Sequence, residues 1–145
     1  LDPLARQFLW ESGVDYDHGT GHGVGAFSNV HQGPQAISRM NNTVLEEGMI
    51  LSNEPGCYLK EEFGIRLENL IVIRAEKNPL FPKENLLFFE TLTLAPFEKK
   101  LIEVSVLNKA EIDWINKYHK KVLTSLKPFL EKNEKNWLIE ACKPI

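Results

Sequence analysis

His18 and His22 stand four residues apart in HGTGHGVG, and glycine fills every second position from Gly19 to Gly25. Imidazoles at i and i+4 on a helix can clamp one metal ion. Here Gly19, Gly21 and Gly23 would each cost a helix about 1 kcal/mol relative to alanine, so the segment reads as extended. Residues four apart in an extended chain are separated by roughly 13 Å. The two imidazoles then share a face without sharing an ion: at most one ligates a given metal, and the other can serve a substrate. The glycines lie on the opposite face, where a missing side chain admits another backbone closely.

A metal needs further ligands, and the acidic candidates lie downstream. Glu54 ends an apolar run immediately before Pro55-Gly56, and Glu68 sits in GIRLENLIVIR among Leu67, Leu70 and Ile71. A carboxylate in such surroundings needs a partner or a metal. Arg66 shares a face with Glu68 by the two-residue strand period, so a structural Arg66–Glu68 ion pair is the plainer reading of those two taken alone. A lone His31 is likewise more often a surface or core residue than a catalyst.

Several elements must position these groups. Residues 3–12 read as a short helix, with Pro3 in the first turn and Gly13 past the end. GMILSNEPGCY reads as a buried strand stopped at Pro55-Gly56, GIRLENLIVIR as a longer strand, NLLFFETLTLAP as a third and KLIEVSVL as a shorter fourth. At Asn108 the pattern turns helical. Asn108 and Glu111 have capping-box spacing, and Ile112, Ile115, His119, Val122 and Leu126 recur at helical intervals until Pro128. A last helix spans Trp137 and Leu138 and ends before Pro144. This organisation is α+β, with residues 1–107 as one part and 108–145 as a helical tail.

The totals suit a soluble chain with one modest core: 43% of the 145 residues are hydrophobic, and no apolar run approaches a membrane span. The first ten residues lack the basic start and apolar middle of a signal peptide. Cys57 and Cys142 form neither a disulfide framework nor a metal-ligand spacing, so a reducing cytoplasm is expected. Residues 1–98 carry a net charge of −7 and residues 99–145 a net charge of +4. The acidic part suits a cation or an ammonium-bearing substrate. The basic tail has lysines and no arginine, and reads as a solvated helix surface rather than a nucleic-acid site.

Four stretches taken together, HGTGHGVGAFSNVHQGP, EEGMILSNEPGCY, FGIRLENLIVI and FETLTLAPF, resemble the Xaa-Pro aminopeptidases (aminopeptidase P) of the three-domain type. These belong to the pita-bread metallopeptidases, with prolidase, creatinase and methionine aminopeptidase. The stretches keep the family's order and spacing, and WLIEACKPI resembles the subfamily's end. The resemblance implies the C-terminal half of a pita-bread fold with a helical C-terminal tail. It also implies roles: His22, Glu54 and Glu68 as metal ligands, with Glu54 acting on the shared water; His31 beside the scissile bond; His18 and Arg66 at the substrate. The cofactor implied is a pair of Mn²⁺ ions, with Co²⁺ or Zn²⁺ as substitutes.

The substrates implied are peptides with proline at the second position, and a homo-oligomer is expected, with no nucleic acid and no membrane. One departure stands out. Asp2, Asp15, Asp17 and Asp113 are the only aspartates, and none lies in the family's two aspartate-ligand motifs. The chain therefore reads as the C-terminal part of a longer enzyme, inactive and without metal by itself. The alternatives are a prolidase-type dipeptidase and a non-enzymatic pita-bread binding module. Xaa-Pro dipeptides against longer peptides separate the first. Retention of His22, Glu54 and Glu68 argues against the second.

Overall fold

Strands β3 (Ile50–Asn53), β6 (Asn69–Lys77) and β7 (Asn85–Thr91) make an antiparallel sheet in the order β3-β6-β7. The structure is a computed structural model and describes residues 1–27, 29–82 and 84–145. Leu51 lies opposite Ile71, and Ile73 opposite Phe89. Leu51, Ile71 and Ile73 meet Ile37 in a buried cluster flanked by Leu45 and Met49. A one-residue slip of β3 would turn Leu51 to the other face, so burial sets this register.

The glycine-rich segment is extended, as its composition requires. Strand β1 (Gly21–His22) pairs antiparallel with β2 (Ala36–Ile37), and Gly23 bridges to Leu51. A Cβ on Gly21 would lie 1.9 Å from the Ser52 carbonyl oxygen, and one on Gly23 2.0 Å from that of Gln32. Backbone fills the space that side chains would need. Helix α1 (Asp2–Glu11) precedes this segment, with Pro3 in its first turn and Gly13 in the left-handed region at φ +74°.

Two expected strands take another form. GIRLENLIVIR is not one strand. Its first part, β5 (Phe63–Arg66), folds back on β4 (Gly56–Leu59) as a hairpin, with Arg66 opposite Gly56. The chain then changes partner, and β6 pairs with β3. Leu67 and Glu68 fall in the break, where the Leu67 N–H donates to the Pro55 carbonyl oxygen. KLIEVSVL forms two 3₁₀ turns, Lys99–Leu101 and Val104–Val106. The Glu98 and Glu103 carboxylates accept the N–H groups of Lys100 and Ser105, giving the backbone local partners in place of a ladder. The third strand stops at Thr91, and the Thr93 hydroxyl oxygen accepts the Leu70 N–H.

The described chain divides into Leu1–Thr93 and Leu94–Ile145. In the second unit, α2 (Lys109–Leu126) begins in the expected capping box, with Asn108 and Glu111 each accepting the other's N–H. Helix α3 spans Lys132–Ala141. Tyr118, Val122, Leu138 and Cys142 form the core, and Leu94 and Phe97 pack against it. The Tyr118 hydroxyl donates to the Ala95 carbonyl oxygen, and the Phe97 N–H donates to His119 Nε2. These contacts place residues 94–97 with the helices, so this unit begins upstream of its first helix cap.

Candidate active site

His22 leaves β1 beside the end of β3. Its N–H donates to the Ser52 hydroxyl oxygen at 2.9 Å, and that hydroxyl donates to Glu54 Oε1 at 2.9 Å. Glu54 is 7% exposed, and its N–H donates to the Thr20 carbonyl oxygen at 2.7 Å. The His22 Nδ1 lies 3.0 Å from the Gly23 carbonyl oxygen, and a carbonyl only accepts. Nδ1 therefore carries the hydrogen, and in the neutral ring Nε2 presents a lone pair. That lone pair faces Glu54 Oε1 at 3.1 Å.

Two acceptors at that distance repel unless a proton or a cation lies between them. An imidazole nitrogen and a carboxylate oxygen suit a divalent transition metal, so these two groups fit such an ion. The His31 ring stands beside His22 with centroids 4.0 Å apart. Sequence spacing did not indicate this pairing.

His18 occupies a second cluster. Its Nδ1 lies 2.8 Å from the Gly19 carbonyl oxygen and its Nε2 2.7 Å from the Tyr58 hydroxyl. The same argument puts the hydrogen on Nδ1, so in the neutral ring Tyr58 donates to Nε2. Arg66 Nε in turn donates to the Tyr58 oxygen at 2.8 Å, and Arg66 Nη1 donates to Glu54 Oε2 at 2.8 Å. The chain of hydrogen bonds thus runs in one direction, from Arg66 through Tyr58 to His18, with Glu54 on the other arm of Arg66. The Tyr58 hydrogen bond is the largest influence on Arg66 and outweighs burial; with the smaller fields of Tyr58, Glu54 and Glu68 it raises the Arg66 pKa.

The expected Arg66–Glu68 pair is replaced by Arg66–Glu54. Glu68 is exposed in the break between β5 and β6, rather than inside an apolar strand. Among the described residues, no group of three or more His, Cys, Asp or Glu side chains is close enough to hold a metal ion. The structure thus joins His22, His31 and Glu54, links Glu54 to Arg66 and His18, and leaves Glu68 aside. Sequence reasoning missed Ser52 and Tyr58. One signal for Tyr58 was Gly64, directly opposite, where a Cβ would lie 2.7 Å from the ring. An open cleft of about 380 Å³ adjoins His18, lined among others by Tyr16, Asp17 and Arg39.

Residues 1–75 match metallopeptidase family M24 and residues 85–145 the C-terminal region of peptidase M24. The chain belongs to metallopeptidase family M24. It is 48% identical over its whole length to a probable Xaa-Pro aminopeptidase P of Arthroderma gypseum and to aminopeptidase P2 of Arabidopsis thaliana. The chain spans about a quarter of the length of these relatives, 24% and 21%.

The X-prolyl aminopeptidase of Caenorhabditis elegans, described as a cytosolic enzyme with a dinuclear active site, superposes with a TM-score of 0.89. That match is 41% identical and covers 99% of this chain and 24% of the other. The Xaa-Pro dipeptidase of Bacillus anthracis is 32% identical with a TM-score of 0.52, over 67% of this chain and 24% of that one. The fold is therefore the expected half of a pita-bread fold with a helical tail.

Proposed function

We propose that this chain contributes to an Xaa-Pro aminopeptidase, which removes the first residue of peptides with proline second. The observation that carries the reading is His22 Nε2 at 3.1 Å from the buried Glu54 carboxylate, with the His31 ring beside that of His22. The likeness to Xaa-Pro aminopeptidases along the whole chain supports the substrate class.

The bond to proline is a tertiary amide without an N–H, and its hindered nitrogen calls for a dedicated hydrolase. His22, Glu54 and Glu68 are the groups that would hold divalent ions, Mn²⁺ first and Co²⁺ or Zn²⁺ as substitutes. When bound, such ions lower the pKa of a shared water. Glu54 accepts a proton at its carboxylate, with Arg66 and Ser52 holding its oxygens in place. His31, beside His22, donates to the substrate carbonyl oxygen or passes a proton to the proline nitrogen. His18, fixed by Tyr58, binds substrate next to the open cleft. Arg66 orients both Glu54 and Tyr58. The enzyme works in the cytoplasm as a homo-oligomer.

A complete peptidase bearing this segment should release the first residue from peptides with proline second, in the presence of Mn²⁺. Cleavage of Xaa-Pro dipeptides alone would favour the dipeptidase, and cleavage of neither, with Mn²⁺ loaded, would sink the enzymatic reading. A second readout needs no turnover. Mn²⁺ added to the ¹⁵N-labelled chain should broaden the His22 ring signals before those of His119.

A further inference from the structure

Arg6 lies outside the His22–Glu54 pair and the His18–Tyr58–Arg66 chain, yet it is 3% exposed and every N–H of its guanidinium is used. Nε donates to Asp2 Oδ2 at 2.7 Å and Nη2 to Asp2 Oδ1 at 3.1 Å, a fork on one carboxylate. Nη2 also donates to the His18 carbonyl oxygen at 2.6 Å. Nη1 donates to the Tyr16 carbonyl oxygen at 2.6 Å and to Asp15 Oδ1 at 2.7 Å. The Tyr16 ring covers the guanidinium face at 3.8 Å.

The fork to Asp2 joins residues four apart on α1, and an ion pair needed only to stabilise that helix would end there. This one extends to the segment that carries His18. Asp2 also accepts the Thr20 hydroxyl hydrogen at 2.7 Å, and the Thr20 carbonyl oxygen accepts the Glu54 N–H. The buried pair therefore reaches the His18 backbone directly and the Glu54 backbone through Thr20. Holding the Tyr16 and His18 carbonyls fixes the backbone from which the His18 ring reaches the Gly19 carbonyl and the Tyr58 hydroxyl.

We propose that Arg6 is a positioning residue: its fully engaged guanidinium fixes the Tyr16 and His18 carbonyls and so aims the His18 imidazole at Tyr58. This rests on the reading of His18 as a substrate-binding group. Lysine cannot replace it, because three donors on one nitrogen cannot reach two carboxylates and two carbonyls in a plane.

The test begins with the unaltered, ¹⁵N-labelled chain. Its Arg6 Nη hydrogens should give separate, slowly exchanging signals; one averaged, fast-exchanging signal would overturn the proposal without any variant. In Arg6→Lys, the His18 ring nitrogens should lose the difference between a hydrogen-bearing Nδ1 and an accepting Nε2. The His22 ring-nitrogen signals should not change. Unchanged His18 nitrogens in a folded variant would overturn the proposal, and if the variant does not fold, the first measurement decides.

In a complete peptidase bearing this segment, Arg6→Lys should raise KM for Xaa-Pro peptides roughly 10- to 100-fold with metal content unchanged. Loss of metal in step with activity would reduce Arg6 to a structural role and overturn the proposal. Failure of the unaltered peptidase to cleave such peptides would sink the proposed function instead, leaving the His18 signals to report on the clamp itself.

Discussion

Glu54 has more partners than a carboxylate at a strand end needs: the Ser52 hydroxyl, the Arg66 guanidinium and the His22 ring all converge on it. In a complete peptidase, Glu54→Gln should abolish Mn²⁺-dependent release of residues preceding proline while the circular dichroism is kept. Normal turnover with full metal would remove Glu54 from the ligands. Tyr58→Phe makes a sharper separation. It deletes two hydrogen bonds at a residue that is 40% exposed, where water can replace them. Urea denaturation should therefore show a loss of about 1 kcal/mol or less. The His18 ring nitrogens should nonetheless change, because Nε2 loses its donor. A large stability loss with an unaltered His18 would mean that Tyr58 serves packing rather than the hydrogen-bond chain.

Elements carry the next set of expectations. Leu51 is fully buried at the centre of the first core, and Leu51→Ala should cost about 2–5 kcal/mol in chemical denaturation. Asn108→Ala removes one half of the capping box on α2 and should cost about 1 kcal/mol, read from the helical dichroism on heating. The same helix carries a pH dependence. His119 is fully buried and its Nε2 accepts the Phe97 N–H, which requires the neutral ring. Burial first, and the Lys99 charge second, push its pKa below the ordinary value. An unfolded histidine titrates near about 6.5. Between that value and the lower folded one, only the unfolded chain takes up the proton. The contribution is thus complete above about pH 6.5 and declines as the pH falls through the window. Fluorescence of Trp114 and Trp137 should report easier unfolding of the second unit at pH 5.5 than at pH 7.5. His119→Gln should flatten that difference; an equally steep dependence would locate the titrating group elsewhere.

For the whole molecule, the relevant surface is the side chains of β7. This strand is last in the sheet order, and Leu86, Leu87, Phe88 and Phe89 are each 43–52% exposed. Apolar strand surface of this kind promotes pairing between copies. We expect this chain by itself to associate as its concentration rises in light scattering, and Phe88→Lys to weaken that association. A compact monomer at every concentration would refute it. We also expect weak Mn²⁺ binding by the chain alone, because Glu68 stands apart from the His22–Glu54 pair. Calorimetry showing two tightly bound Mn²⁺ per chain would contradict this.

The sequence by itself determined the elements whose causes are local. Glycine spacing excluded a helix at residues 18–25, Asn108 and Glu111 marked the start of α2, and Pro55-Gly56 ended β3. It also carried the family, since the motifs lie in order along the chain. Partner choice was decided only by the tertiary structure. GIRLENLIVIR has the composition of one strand, but two different neighbours divide it at Leu67 and Glu68, so Arg66 turns to Glu54 and Tyr58. KLIEVSVL alternates like a strand, yet carboxylates two residues away satisfy its N–H groups first. His31 meets His22, and Arg6 meets the His18 carbonyl, across loops that no period describes. Periodicity records which face of an element is buried; which distant group lies against that face depends on how the chain closes on itself.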